Sequence, residues 1–492
     1  MGYTHGVYVS EVPTSVISSV PVDSAIPVIV GTAPVNMGDL TNVNKPKLFY
    51  SYNEAVAACG FVPAKADATS GLKKFDFSIS EALYVQFALY GVSPVIVINV
   101  LDPVKHQKSA TTTKVNIDNR TGAVTIEETG ILLDTVRLHD GSFVRDTDYI
   151  LTFDDAGYLV ITSMTDAAGR FKLDTGKDLT FNAEKLDPSA VTEADIIGGI
   201  DTEGNKKGLE VIGEIDARFN LVPGFILAPG FSHNSGVAAV MAAKADSLNG
   251  QYRCTALIDV NTGVAKQYTD AMSWKSTNNI TDKDQRLFYG LLALDKTVFH
   301  QSCHYAALSG QVDGDNGGVP VETASNKAYK MDSVVRADGT EIWLDQEQAN
   351  YLNGQGIITA LNGGASGWTC WGWQTAAYPA NTDVKDADSA VRRMFDWMGN
   401  TLCKTYRQKV DKPTNRRQID TVVESVNMFL NGLVGEGKLL GARVEFREDE
   451  NPTPDLLAGK TCFHLYATPA PTNGTIEFKQ EFDTTYIVTL FS

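Results

Sequence analysis

Three groups of residues in this 492-residue chain carry the ingredients of chemistry. Ser232, His233 and Ser235 lie together, and Asp259 ends an apolar run. A hydroxyl, an imidazole and a carboxylate are what a serine hydrolase assembles into a nucleophile. A triad is an arrangement in space, however, and the chain contains no G-x-S-x-G elbow to present the serine. His300 and His304, with Cys303 between them, have the spacing of two metal ligands on one helix face. Gln301 stands where a zinc protease carries its general-base glutamate, so the plain reading is a helix with partly exposed histidines. Gly432, Gly437 and Lys438 outline a phosphate-binding loop, but Leu439 occupies the place of the magnesium-binding Ser or Thr. Gly459, Lys460 and Thr461 make the second half of such a loop, with Pro454 where its first glycine belongs. None of these is complete, and no catalytic residue, cofactor or metal is assigned.

A fourth group is defined by charge. The chain carries a net charge of -17. A surface this acidic repels phosphates, which excludes nucleic-acid binding over its whole extent. Against that background, residues 392–417 hold Arg392, Arg393, Lys404, Arg407, Lys409, Lys412, Arg416 and Arg417, with Asp396 and Asp411 the only acids. At about 100° per residue, Arg393, Lys404 and Arg407 fall within about 60° of one another on a helix. They are expected to form a docking face for an acidic partner.

The elements that must carry these residues follow from hydrophobic periodicity. Residues 25–33 (AIPVIVGTA), 93–100 (SPVIVINV) and 255–260 (TALIDV) read as buried strands. Helices are expected over 51–59, 80–90, 208–220 and 297–307, and strand–helix–strand order implies a parallel sheet. Between about 104 and 193 the text changes to short alternating strands with turns, an inserted all-β domain. Beyond 386, apolar residues at helical spacing mark two helices, through Met394, Met398 and Leu402 and through Val422, Val426 and Phe429. Strand candidates follow at 439–447 and 461–466. The six cysteines are scattered without a C-x-x-C pair, the pattern of buried reduced thiols. The first residues show no signal peptide, Gly6 breaks the myristoylation pattern, and no apolar run approaches about 18 residues. A soluble chain made in a cytoplasm is expected.

Both ends of the sequence are extended and apolar. Val7 and Val9 alternate with Tyr8 and Ser10, and Val12 follows, while Pro13, Pro21 and Pro27 exclude a continuous helix. The last residues, including Ile487, Val488 and Leu490, read as a β-like tail. Apolar strands without a cover are association sites. Val7, Tyr8, Val9, Val12, Ile487, Val488 and Leu490 are therefore expected to contact neighbouring subunits.

In order along the chain stand HGVYVSEV (5–12), AIPVIVGTA (25–33), LNGQGIITALN (352–362), WTCWGWQT (368–375), SAVRRMFDWM (389–398) and the ATPAP stretch before the tail. Taken together, these stretches resemble the contractile phage tail sheath protein family, including sheaths of phage-tail-like bacteriocins. The resemblance implies an α/β core that is subtilisin-like and non-catalytic, with an inserted all-β domain and an α+β C-terminal domain. It implies a division into an arm at 1–25, a core at 26–103 and 194–385, an outer domain at 104–193, a tube-facing domain at 386–470 and an arm at 471–492. It further implies hexameric rings stacked helically around an inner tail tube protein, with baseplate and tail terminator proteins as further partners. Neither direct nucleic-acid contact nor membrane insertion is implied. The particle would be a virion tail or a bacteriocin, assembled in the host bacterial cytoplasm, and Arg393, Lys404 and Arg407 would face the tube. A subtilisin-fold serine hydrolase and another shell-forming assembly protein are the alternatives.

Overall fold

The computed structural model describes residues 19–491 except 68, 69, 174, 365 and 366. Its centre is one eight-stranded sheet. The strands are Pro27–Gly31 (β1), Pro46–Phe49 (β2), Val95–Asn99 (β3), Phe225–Leu227 (β4), Thr255–Asp259 (β5), Gln285–Phe288 (β6), Ile357–Asn362 (β7) and Trp368–Trp371 (β8). Their spatial order is β2-β3-β1-β4-β5-β6-β7-β8. The six central strands are parallel, and β2 and β8 pair antiparallel at the edges. Every residue of β1, β3, β4 and β5 is buried, as the unbroken apolar runs require of strands covered on both faces. The chain passes from β1 to β3 on one side and later to β4 on the other. The strand order thus reverses between β1 and β4, and the carboxyl ends of these strands define the crevice where open α/β sheets hold ligands.

The helices that flank the sheet are short. Tyr52–Cys59 (α1) starts where the Ser51 hydroxyl accepts the Glu54 N–H. Ser78–Leu83 (α2) continues as a π-helical turn over Tyr84–Leu89, where the sequence pattern predicts a single α-helix. Ser235–Asp246 (α3) follows β4. The helix expected from Thr297 begins instead at Gln301, as Gln301–Asp315 (α4). Thr297–His300 is a strand paired with Leu291–Leu294. Asp295 and Lys296 join the two in left-handed conformation, with φ of 48° and 65°, the geometry of a tight hairpin turn.

Two further bodies complete the chain. Short antiparallel strands between Gln107 and Leu186 enclose their own apolar cluster, with Val115, Ile117, Ile161 and Phe181 at its centre. The strands that enter and leave this region, Gln107–Ser109 and Glu184–Leu186, pair with each other. Ser389–Tyr406 (α5) and Arg416–Gly435 (α6) are amphipathic. Met394, Trp397, Met398, Val426 and Leu430 on their apolar faces join the same cluster as the main sheet. Leu439–Glu445 (β9) and His464–Pro469 (β10) form an antiparallel ribbon beside α6. The tail does not form the strand its alternation predicts. Thr484–Phe491 winds as 3-10 turns, which bond the backbone locally where none of the described strands pairs with it.

Candidate functional site

The crevice at the carboxyl ends of β1, β4 and β5 is filled by the chain's own polar side chains. Asp259 ends β5, where its buried carboxylate accepts the Ser302 N–H at 3.0 Å and the Ser302 hydroxyl at 2.5 Å. The Ser232 hydroxyl lies 3.4 Å from the same carboxylate and accepts the Asp259 N–H at 3.1 Å. Burial pushes the Asp259 carboxyl upward. His300, the residue before α4, turns its Nδ1 to Glu81 of α2 at 2.9 Å. Burial lowers the His300 pKa, but the charge and hydrogen bond of Glu81 outweigh it and raise it to about 9. The serines therefore bond to a carboxylate and the histidine to a different one. Ser232 and Ser302 are each 1% exposed, out of reach of any substrate. His233 lies outside this network, in a groove with Asn234, Ser235 and Asp270. The structure brings Ser232 to Asp259 but not His233, and adds Glu81 and Ser302, which the sequence pattern does not single out.

The histidine pair does not converge on a metal. His304 is fully buried, bonded through Nδ1 to Tyr90 at 3.1 Å, and its burial lowers its pKa to about 3. This corrects the expectation of a partly exposed pair: His300 caps a strand, while His304 enters the core one helical turn on. Among the described residues no group of three or more His, Cys, Asp or Glu is placed to hold a metal ion. Among the same residues no helix is long and apolar enough to cross a membrane. Four cysteines are buried as expected, whereas Cys403 and Cys462 are exposed.

The basic face of α5 is the largest correction. Arg393 is 5% exposed, and its guanidinium pairs with the buried carboxylate of Asp313 on α4. It also stacks over Phe225 of β4 at 4.7 Å. Arg392 pairs with Asp396 at 2.6 Å and Asp386 at 3.3 Å, close to the fully buried Asp284. Burial and the Asp396 charge raise Asp284 to about 6, against the pull of Lys283 and Arg392. Lys404 reaches Asp216 at 3.5 Å and bonds Asn220. Only Arg407, 71% exposed at its side chain, stays open, with one contact to Asp216 at 3.4 Å. The acidic partner of Arg393 and Lys404 is the chain's own core. Cations so placed cannot leave their carboxylates without stranding buried charge. The cations that remain outside lie beyond α5, where Lys412, Arg416 and Arg417 are exposed and Lys409 half-buried.

The two ends are placed unequally by the structure. Val7, Tyr8, Val9 and Val12 lie outside the described residues, as do the side chains of Val488 and Leu490. Ile487 is 45% exposed, and Ile476, Phe478, Phe482 and Tyr486 before it are more so. An apolar groove of about 600 Å3 runs between α5, α6 and the start of β10, lined by Leu402, Tyr406, Ile419, Val422, Phe463 and Leu465. An exposed apolar tail and an open apolar groove are each the kind of surface that marks association.

No family model matches the chain. It is 29% identical over 499 residues to the tail sheath protein of Burkholderia phage BcepMu, covering 99% of this chain and 98% of that protein. It is 25% identical over 305 residues to a putative prophage major tail sheath protein of Pseudomonas aeruginosa, covering 60% of this chain and 73% of that one. Among solved structures, the fold matches the sheath of an extracellular contractile injection system, PVC, in its contracted state. There the TM-score is 0.57 at 13% identity, over 99% of both chains. The helical sheath of the anti-feeding prophage in its contracted state matches with a TM-score of 0.56 at 14% identity, over 98% of this chain and 100% of that one. Tail sheath proteins of phages and prophages are thus homologues of this chain, and these homologues are structural proteins, not enzymes.

Proposed function

We propose that this chain is the structural subunit of a contractile tail sheath. The observation that carries the reading is the end-to-end correspondence with the BcepMu tail sheath protein, which leaves almost no residue of either chain unmatched. The exposed apolar tail supports it, because such a segment is stable only when a neighbouring subunit covers it. In this reading subunits form hexameric rings that stack around an inner tube. The sheet and its helices are a subtilisin-like core without catalytic use, and the all-β insertion is an outer domain. The first and last segments add strands to the β9–β10 ribbon of neighbours, so that rings stay linked while subunits move. Contraction drives the tube through a target envelope, with baseplate and terminator proteins at the two ends of the sheath.

The tube-facing cations are then Arg407, Lys409, Lys412, Arg416 and Arg417, not the buried Arg393 and the largely buried Lys404. The deciding experiment is electron microscopy of the purified full-length chain. Hollow, ridged tubes are expected. Monodisperse monomers at every concentration and salt level would refute the reading. A hydrolase alternative has nothing in its favour at the crevice, where neither serine meets a histidine.

A further inference from the structure

The segments that lead to the two termini are fastened to the same helix and leave it at opposite ends. Residues 20–24 run antiparallel along α5 in regular steps. The Val20 N–H donates to the Thr405 hydroxyl at 2.9 Å, and the Val22 N–H to the Thr401 hydroxyl at 3.5 Å. One turn further, the Trp397 indole N–H donates to the Val22 carbonyl at 2.8 Å. After another turn Arg393 donates to the Ser24 carbonyl at 3.3 Å, and the Ser24 hydroxyl donates to Asp313 at 2.5 Å. The four anchors 405, 401, 397 and 393 recur at the four-residue spacing that keeps side chains on one helix face.

At the other end, Asp388 caps α5 by accepting the Ala390 and Val391 N–H groups through Oδ1. Its Oδ2 accepts the Thr472 N–H at 2.8 Å, and the Thr472 hydroxyl donates to Oδ1 at 3.1 Å. Two residues later, Gly474 lies against the Trp373 indole so closely that a Cβ there would sit 2.8 Å from Nε1. The C-terminal segment is therefore latched where it leaves the fold. At 1.5 Å per residue, the anchors at Asp388 and Thr405 stand about 26 Å apart on one rigid rod.

We infer that α5 is the strut that carries load between the two arms of each subunit, a role that rests on the sheath reading. A pull on the N-terminal segment acts along the helix and is shared by all of its anchors at once. A pull on the tail acts on a carboxylate that is itself part of the helix cap. Arg393, Trp397 and Asp388 are buried, so the strut transmits force into the core and not into a surface loop. The span between Val20 and Thr472 then keeps its length under load. This gives the buried Arg393–Asp313 pair a second duty, since it ties the strut and the Ser24 end of the strap to α4.

The test uses the full chain and three variants. D388N keeps an oxygen for the helix cap but replaces the acceptor of the Thr472 N–H by a donor. T472V removes the hydroxyl bond of the latch and keeps the backbone one, and T401V/T405V removes both strap acceptors with little change of shape. Sheaths are assembled, sheared, and measured for length by electron microscopy. Exchange of the Val20, Val22 and Thr472 amides is followed in the free chain and in the sheath. Wild-type amides are expected to be protected equally in both states; D388N and T401V/T405V, which leave buried N–H groups unpaired, are expected to melt lower and T472V like wild type, and all three to lose the long tubes, leaving short stacks. Variant tubes as long as wild type, or wild-type amides that lose protection on assembly, would overturn the inference. A wild-type chain that forms no tube at all refutes the sheath reading itself, which is a different result from wild-type tubes with indifferent variants.

Discussion

Replacing Arg393 by Met separates a buried interlock from a docking cation. The Arg393 side chain is 5% exposed and that of Asp313 is 3% exposed. With Nη1 at 3.2 Å from Oδ1 and an effective dielectric near 20, the bare attraction is about 5 kcal/mol. Removing both charges from water offsets most of that attraction, so the pair itself adds little. The single variant is another matter, because it leaves the Asp313 carboxylate buried and bonded only to Ser24. R393M is therefore expected to lose about 3–5 kcal/mol of stability, although methionine retains part of the packing over Phe225. The double variant R393M/D313N, which removes both charges, is expected to recover most of this. The assay is chemical denaturation of the free chain at neutral pH, with both single variants and the double variant closing a thermodynamic cycle. A loss below about 1 kcal/mol in R393M, the range of exposed ion pairs, would refute the reasoning. So would a double variant as unstable as the sum of the singles.

The other tests concern charge and pH. Asp284 has a folded pKa near 6 against an ordinary carboxylate, so its ionisation opposes folding at neutral pH. D284N is expected to gain up to about 3 kcal/mol at pH 7, a gain that shrinks as pH falls through 6 and vanishes below about 4; a constant gain across denaturation curves at these pH values would contradict the assignment. His300 titrates in the opposite window. Its folded pKa near 9 lies above the unfolded 6.5, so its stabilisation is full below 6.5 and lost as pH rises through 9. Three ionisable groups face it, Glu81, Asp259 and His233. H300Q is expected to be about 3 kcal/mol less stable at pH 6 and level with wild type near pH 10, read by the same denaturation series. Reversing Lys412 and Arg417 to Glu should leave stability unchanged, because both are exposed. It should weaken sheath assembly on tubes most at low salt; unchanged assembly at all salt levels would remove this surface from the tube contact.

The strands of the central sheet are legible because unbroken β-branched runs such as Val28, Ile29 and Val30 suit a pleated surface buried on both faces. Helices α5 and α6 are legible from their 3.6-residue period. The Thr297–His300 strand is not, because its turn is made by Asp295 and Lys296, without the glycine that marks most two-residue hairpins. The basic face fails for a different reason. Periodicity says which residues share a face of α5 but not what covers that face. Asp313 lies 80 residues from Arg393, and Asp216 lies 191 from Arg407. Only the tertiary fold brings them together. The same holds for Glu81 and His300, which stand 219 residues apart. The tail is misread because its alternation describes a strand, and none of the described strands pairs with it.

The pairing of Gln107–Ser109 with Glu184–Leu186 brings the two ends of the inserted region to adjacent positions, Ser109 facing Glu184. Directly paired antiparallel residues stand about 5 Å apart. A turn of two or three residues spans that gap, so the region between can be exchanged where the replacement also fills the place of Leu132 in the main cluster and gives Asn36 an acceptor in place of the Ile131 carbonyl. Most apolar residues of the insertion form their own cluster, while Leu132 packs in that of the sheet. The site is thus a natural socket: a foreign domain with neighbouring termini can be grafted there, and an ordered array of such subunits would display one copy of the guest per chain on a regular lattice.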